Sequence, residues 1–146
     1  MTHPSRHPTG TGPASQADIT VGRTASCSCG ALSIRAVGAP RKISACHCPA
    51  CQRRTGSAFG VAVFYERDQT TPAGQSSRYT RTGDSGATLE FHFCPACGSS
   101  VYWYPAFRPG LVAIALGCFG GPDAIGGPGQ SVYETHRHPW VTIADG

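Results

Sequence analysis

Charge is scarce in this chain. Lys, Arg, Asp and Glu make up 14% of its 146 residues, and the only adjacent basic pairs are Arg41-Lys42 and Arg53-Arg54. A protein that tracks a phosphate backbone needs a basic stripe or tail. Nucleic acid is therefore not an expected partner. Long apolar runs are also missing, and none approaches the ~20 residues of a membrane-spanning helix. The first 22 residues lack the charged start and apolar block of a secretory signal. A cysteine-rich chain without such a signal is expected in the reducing cytoplasm, where clustered cysteines bind metal. No sustained 3.6-residue stripe occurs either, which leaves little room for helix.

What is abundant is punctuation. The 19 Gly and 12 Pro imply many turns between short elements. Residues 1–21 are rich in Pro, Thr, Ser, Gly and His, and read as a disordered leader with His3 and His7 solvated. Residues 22–146 read as one domain. Leu32, Ile34 and Ala36 alternate with Ser33 and Arg35, the pattern of a half-buried strand. Across Ala87–Phe93, Leu89, Phe91 and Phe93 share one face, while Thr88, Glu90 and His92 take the other. Strands are also expected at Gly60–Tyr65, Ser77–Thr80, Val101–Tyr104, Leu111–Leu116 and Trp140–Ile143. One or two helical turns fit near Cys48–Gly56. The fold class is mainly β, built from hairpins with little helix.

Seven of the eight cysteines fall into three groups: Cys27-Ser-Cys29, Cys46-His-Cys48-Pro-Ala-Cys51 and Cys94-Pro-Ala-Cys97. An even count admits a disulfide framework, but Cys-x-Cys is a poor internal bridge and no export signal accompanies it. Zinc takes four soft ligands in a tetrahedron. Cys27 and Cys29, two apart on an extended strand, offer both sulfurs to one side. Cys94 and Cys97 converge through a turn that Gly98 permits. Together they predict a closed structural site that ties distant hairpins.

Cys46, Cys48 and Cys51 offer three sulfurs and leave a fourth position open to a substrate. His47 then points away, positioned to support a ligand rather than to be one. The alternative is a second structural zinc completed by Cys118 or His92. Two zinc–thiolate sites would bring the formal charge of +4 down to about +1, so the apparent basicity argues little for an acidic partner.

Three thiolates make a bound metal a mild Lewis acid that favours another soft ligand. An exogenous thiol is the natural candidate, since a metal holds it as the nucleophilic thiolate. Attack on an aldehyde gives a hemithioacetal, so the residues point to carbon–sulfur bond formation at a small carbonyl compound. Arg53, Arg54, Thr55 and Ser57 follow directly, with charge and donors suited to the carboxylates of a peptide-like thiol. The alternative for each arginine is a solvated surface charge. His47, His92 and Tyr102 are acid–base candidates by sequence proximity alone.

These residues resemble the glutathione-dependent formaldehyde-activating enzyme family, which also includes centromere protein V. The resemblance is carried by Cys27-Ser-Cys29-Gly-Ala, by Cys46-His-Cys48-Pro-Ala-Cys51-Gln-Arg-Arg-Thr-Gly-Ser-Ala-Phe59-Gly, and by Phe93-Cys94-Pro-Ala-Cys97-Gly-Ser. It closes on Pro139-Trp140 and Asp145-Gly146, and covers about residues 22–146. It implies an Mss4-like fold, a structural zinc on Cys27, Cys29, Cys94 and Cys97, and a catalytic zinc on Cys46, Cys48 and Cys51. It further implies a carbon–sulfur lyase, an S-(hydroxymethyl)glutathione synthase that condenses glutathione with formaldehyde, and it admits a homodimer. The chain departs from the family around Gly117-Cys118-Phe119, where a Leu-Asp-type stretch is expected, and in the Gly- and Pro-rich segment 120–129. A second reading is a non-catalytic zinc module that binds protein or nucleic acid. Cys118 reads as a small buried apolar residue, or else as a redox thiol.

Overall fold

The computed structural model describes residues 21–83, 85–122 and 124–144. The leader lies outside them, save Val21, as do His3, His7 and the terminal Asp145-Gly146. Among the described residues, ten strands, one short α-helix and three 3-10 turns make up the regular structure. The strands and the α-helix are β1 (Gly22–Ser26), β2 (Ser33–Val37), β3 (Lys42–Cys46), α1 (Pro49–Thr55), β4 (Gly60–Glu66) and β5 (Thr70–Ala73). These are followed by β6 (Ser77–Thr82), β7 (Thr88–Phe93), β8 (Ser100–Pro105), β9 (Leu111–Ala115) and β10 (Gln130–Val132). Among the described residues no helix is long and apolar enough to cross a membrane.

The strands form two sheets. The small one has the order β1-β2-β5, and the large one β10-β3-β4-β9-β8-β7-β6. All pairs are antiparallel except β10 with β3. Alternation then decides the layers. Val63, Tyr65, Val112 and Ile114 leave one face of the large sheet and meet Leu32, Ile34 and Ala36 in the main core. Each such side chain contributes about 1.5–3 kcal/mol by burial. The opposite face carries a second apolar cluster of Phe64, Leu89, Phe91, Trp103 and Ala113.

A bulge between β7 and β8 sets Tyr102 against His92 and Ser100 against Phe93. Val101 is the extra residue, so Val101 and Tyr102 both enter the main core. On the polar row of β7, Thr88 is exposed and Glu90 half-buried, but His92 is buried. His92 is 6% exposed, yet both ring nitrogens are paired, with Ser76 Oγ at 2.7 Å and Glu90 Oε1 at 2.8 Å. Tyr102 stacks on it at 4.7 Å. Polar partners thus let His92 be buried on a face that Thr88 and Glu90 leave partly open.

The expected strand at Trp140–Ile143 is absent. Pro139 has no N–H for a ladder, and it opens a turn closed by the Val141 N–H on the His138 carbonyl at 3.0 Å. Trp140 is left 75% exposed.

Candidate metal centres and the cleft

The closed cluster sits at one end of the main core. Cys27 follows β1 and Cys94 follows β7, and both are buried among the core side chains. Cys29 and Cys97 complete the set from the surface, all four sulfurs lying within 4.8 Å of one another. Cys27 and Cys29 do not share an extended strand, as their spacing suggested. Residues 28–30 turn back, Gly30 at φ 82°, with its N–H on the Cys27 carbonyl at 3.1 Å. Cys94–Gly98 makes the matching turn, with Gly98 at φ 80°. Ser99 stitches the turns together: its Oγ takes the Ser28 N–H at 3.2 Å and lies 3.4 Å from Cys97 Sγ.

The sulfur spacings fit a tetrahedral metal. Cys27 Sγ is 3.7 Å from Cys29 Sγ, which is 3.6 Å from Cys94 Sγ. A tetrahedron with Zn–S bonds of about 2.3 Å has edges of about 3.8 Å. The surroundings also favour thiolates. The Leu32 N–H lowers the Cys27 pKa, and the Ser99 hydroxyl draws Cys97 down to about 5. Cys29 is the exception: the Ala31 N–H draws its thiol down, but its hydrogen bonds to Cys94 and Cys27, with burial, outweigh that and hold it at about 11.

The second cluster, Cys46, Cys48 and Cys51, has its sulfurs within 4.8 Å of one another. Three local structures supply them. Cys46 ends β3, Cys48 is the N-cap of α1, and Cys51 lies within the helix. The Cys48 thiolate position is set by the cap itself, which accepts the Cys51 N–H at 3.4 Å. Cys46 and Cys48 therefore converge through a strand-to-helix corner rather than one extended segment. The Cys51 thiol falls to about 6, chiefly through the hydrogen bond from Cys46, with Arg54 and Arg81 adding their charge. The same bond, with burial, pushes Cys46 up. Neither Cys118 nor His92 joins this group, which ends at three among the described residues.

His47 continues the Ile43 and Ala45 face, away from the three sulfurs. It is fully buried, its Nε2 lies 2.9 Å from Ser131 Oγ, and its Nδ1 has no partner among the described residues. Its backbone N–H reaches the Val132 carbonyl at 3.2 Å. It thus pins β10 beside the cluster. Gln52 does the same for the next segment, giving its side-chain N–H to the His47 and His136 carbonyls at 2.8 and 3.1 Å. Its Oε1 meets His138 Nε2 at 2.8 Å.

These ties wall a cleft of about 720 Å³ on the open face of the large sheet. Ser44 and Ala62, cross-strand partners, form its floor because they are small. The three cysteines line one end. Lys42, four residues up β3 from Cys46, lines the other with Phe64 and Leu89. Lys42, Phe64, Ala113, Trp103 and Phe91 form one continuous cross-strand row. Each ring in it is capped by a cation. Lys42 lies over Phe64 at 4.8 Å, Arg54 over Trp103 at 4.4 Å and Arg81 over Phe91 at 5.6 Å. None of these three, nor Arg53, takes part in an ion pair among the described residues.

The cleft is lined by Arg53 but not by Thr55 or Ser57. Thr55 Oγ1 instead donates to the Cys51 carbonyl at 2.9 Å and accepts the Ser57 N–H at 3.1 Å, closing the helix. Arg54 and Thr55 line a separate cavity of about 470 Å³ with Cys97 and Cys118. Cys118 is half-buried there, and burial raises its thiol pKa. Lys42, Arg81 and His136 line the cleft without having been singled out by sequence. They lie 4 to 90 residues from the cysteines, and only the pairing of β3, β6 and β10 into one sheet unites them.

A family model described as glutathione-dependent formaldehyde-activating enzyme matches residues 22–136. A crystal structure of a Rhodobacter sphaeroides protein superposes with a TM-score of 0.54 at 19% identity, covering 68% of this chain and 90% of that one. At that identity the likeness speaks for the fold. No curated protein matches the chain significantly.

Proposed function

Because this chain belongs to the glutathione-dependent formaldehyde-activating enzyme family, we propose that it is a zinc-dependent carbon–sulfur lyase. It joins glutathione, or an equivalent small thiol, to formaldehyde or a related aldehyde. The observation that carries this reading is a cluster of three thiols ending a cleft whose cations form no ion pair among the described residues. Cys27, Cys29, Cys94 and Cys97 hold a structural zinc, and Cys46, Cys48 and Cys51 a catalytic one. The catalytic ion, when bound, supplies Lewis acidity that keeps an incoming thiol deprotonated near neutral pH.

The chain's own groups do the rest. Arg53 and Arg81, near the thiol end, bind the carboxylates of the thiol substrate and orient its sulfur toward the aldehyde carbon. The sulfur lone pair forms the C–S bond, and the carbonyl π pair moves to oxygen. His136 carries the thiol proton to that oxygen, since it is the histidine that lines the cleft among the described residues. His92 and Tyr102 are engaged with each other in the core and take no part.

The test is ¹³C exchange NMR on labelled formaldehyde and glutathione. The zinc-loaded protein is expected to speed exchange between formaldehyde hydrate and S-hydroxymethylglutathione, and to lose that effect when zinc is removed. Unchanged exchange with two zinc ions bound would overturn the substrate assignment. Arg81→Ala is expected to raise KM for the thiol about tenfold with kcat little changed, as loss of one charged contact predicts. A fall in kcat alone would remove Arg81 from thiol binding.

A further inference from the structure

We infer that the aldehyde this cleft takes carries an apolar group of about the size of a phenyl ring, rather than being formaldehyde alone. The inference rests on the thiol–aldehyde reading above and names its electrophile.

Two aromatic side chains are left half-exposed at the cleft. Phe107 is 51% exposed and Tyr133 is 50% exposed, and both line it. They stand toward opposite ends. Tyr133 directly follows Val132, which pairs with Cys46. Phe107 lies in the β8–β9 turn beside Arg108, whose charge reaches Lys42 at the far end of β3. The two ends are four residues apart along the strand, about 13 Å.

Tyr133 sits at φ 57° and ψ 42°, and it is the non-glycine residue with positive φ among the described residues. That backbone costs about 1–2 kcal/mol. The conformation opens the turn at Glu134–His136, where the His136 N–H reaches the Tyr133 carbonyl at 3.1 Å. It also leaves the ring half-exposed at the cleft, a pattern found at ligand clamps. Phe64 and Leu89 line the Phe107 end with Trp103 alongside; though largely buried, with Lys42 and Arg54 over two of the rings, they make this part of the cleft wall an apolar bed.

Formaldehyde does not use these features. It has one carbon, is hydrated in water, and cannot touch both the thiol cluster and Phe107. Glutathione is polar and finds partners in the cations. An aldehyde with an apolar body meets both demands: its carbonyl carbon lies at the thiol end and its body covers the bed toward Phe107. The bond changes are the same as before, with the thiol proton ending on the new hydroxyl, so no further reactant is needed.

The experiment compares propanal with 3-phenylpropanal, which share carbonyl chemistry and differ by a ring. Exchange between free aldehyde and glutathione hemithioacetal is followed by NMR with zinc-loaded protein, and formaldehyde is run beside them. Expected is a kcat/KM for 3-phenylpropanal about tenfold above that for propanal, as ring burial in an apolar pocket predicts. Phe107→Ala is expected to bring that ratio to about one. Its thermal melt, run in parallel, reports that the variant is folded. Equal values for the two aldehydes in the wild type, with formaldehyde accelerated, would overturn this inference and leave the proposed function standing. A ratio unmoved by Phe107→Ala would overturn it too. If no aldehyde is accelerated, the thiol–aldehyde reading falls and the inference with it.

Discussion

Cys97→Ala is expected to abolish cooperative thermal unfolding, although Cys97 is exposed and its removal leaves no core cavity. The reasoning separates packing from ligation. A packing account would assign a large loss to buried Cys94 and almost none to Cys97, since surface truncations fall within about 0.5 kcal/mol. A ligation account assigns a large loss to both. Structural zinc contributes on the order of 10 kcal/mol, against a total stability of about 5–15 kcal/mol for a domain. The cluster also closes a span of 65 residues between Cys29 and Cys94, which joins the turn after β1 to the turn after β7. Circular dichroism melts of wild type, Cys97→Ala and wild type treated with a chelator should give one sharp transition and two broad ones. A Cys97→Ala protein that melts sharply within a few degrees of wild type would end the structural role proposed for this cluster.

Cys48→Ala should do the reverse. Activity is expected to fall by about a thousandfold or more, equivalent to about 4 kcal/mol of barrier, while the fold persists. Zinc content should drop from two per chain to one. The variant also loses the bond from the Cys51 N–H, a helix cap worth about 1 kcal/mol, so Tm should fall by about 4 °C. Cys48→Ser separates the effects, because a hydroxyl restores the cap but is a poor zinc ligand. It should recover most of the Tm and little of the activity. Full activity in either variant would remove Cys48 from the reaction.

Strands whose side chains alternate were legible in the sequence. β2, β4, β6, β7, β8 and β9 fall where the pattern put them, and α1 lies in the stretch around Cys48–Gly56. Four strands escaped: β3 (Lys42–Cys46), inside the large sheet with only a short Ile43–Ala45 alternation, and three that have no such signal. β1 reads Gly-Arg-Thr-Ala-Ser, β5 contains Pro72, and β10 has three residues in a Gly- and Pro-rich stretch. These three lie at sheet edges, where one free side relaxes the demand for apolar residues. Both cysteine groupings were legible because metal ligation leaves a spacing. How the sulfurs converge was not, since turns such as Ser28–Gly30 depend on Ser99 from another hairpin. The cleft left almost no sequence signature. Its cations rest on rings contributed by other strands, a relation set by cross-strand register rather than by distance along the chain.

The strap formed by β10 and the segment behind it has a consequence for synthesis. Every cysteine precedes residue 119, so a chain emerging from the ribosome exposes all its thiols before Ser131 can meet His47. Both clusters can then load metal while the cleft still lacks a wall. A chain truncated after residue 128 and released should therefore hold the proposed metal complement and yet lack the proposed activity. On the proposed function, the segment from Gln130 to His138 is the last part fitted, completing the cleft after both cysteine clusters are formed.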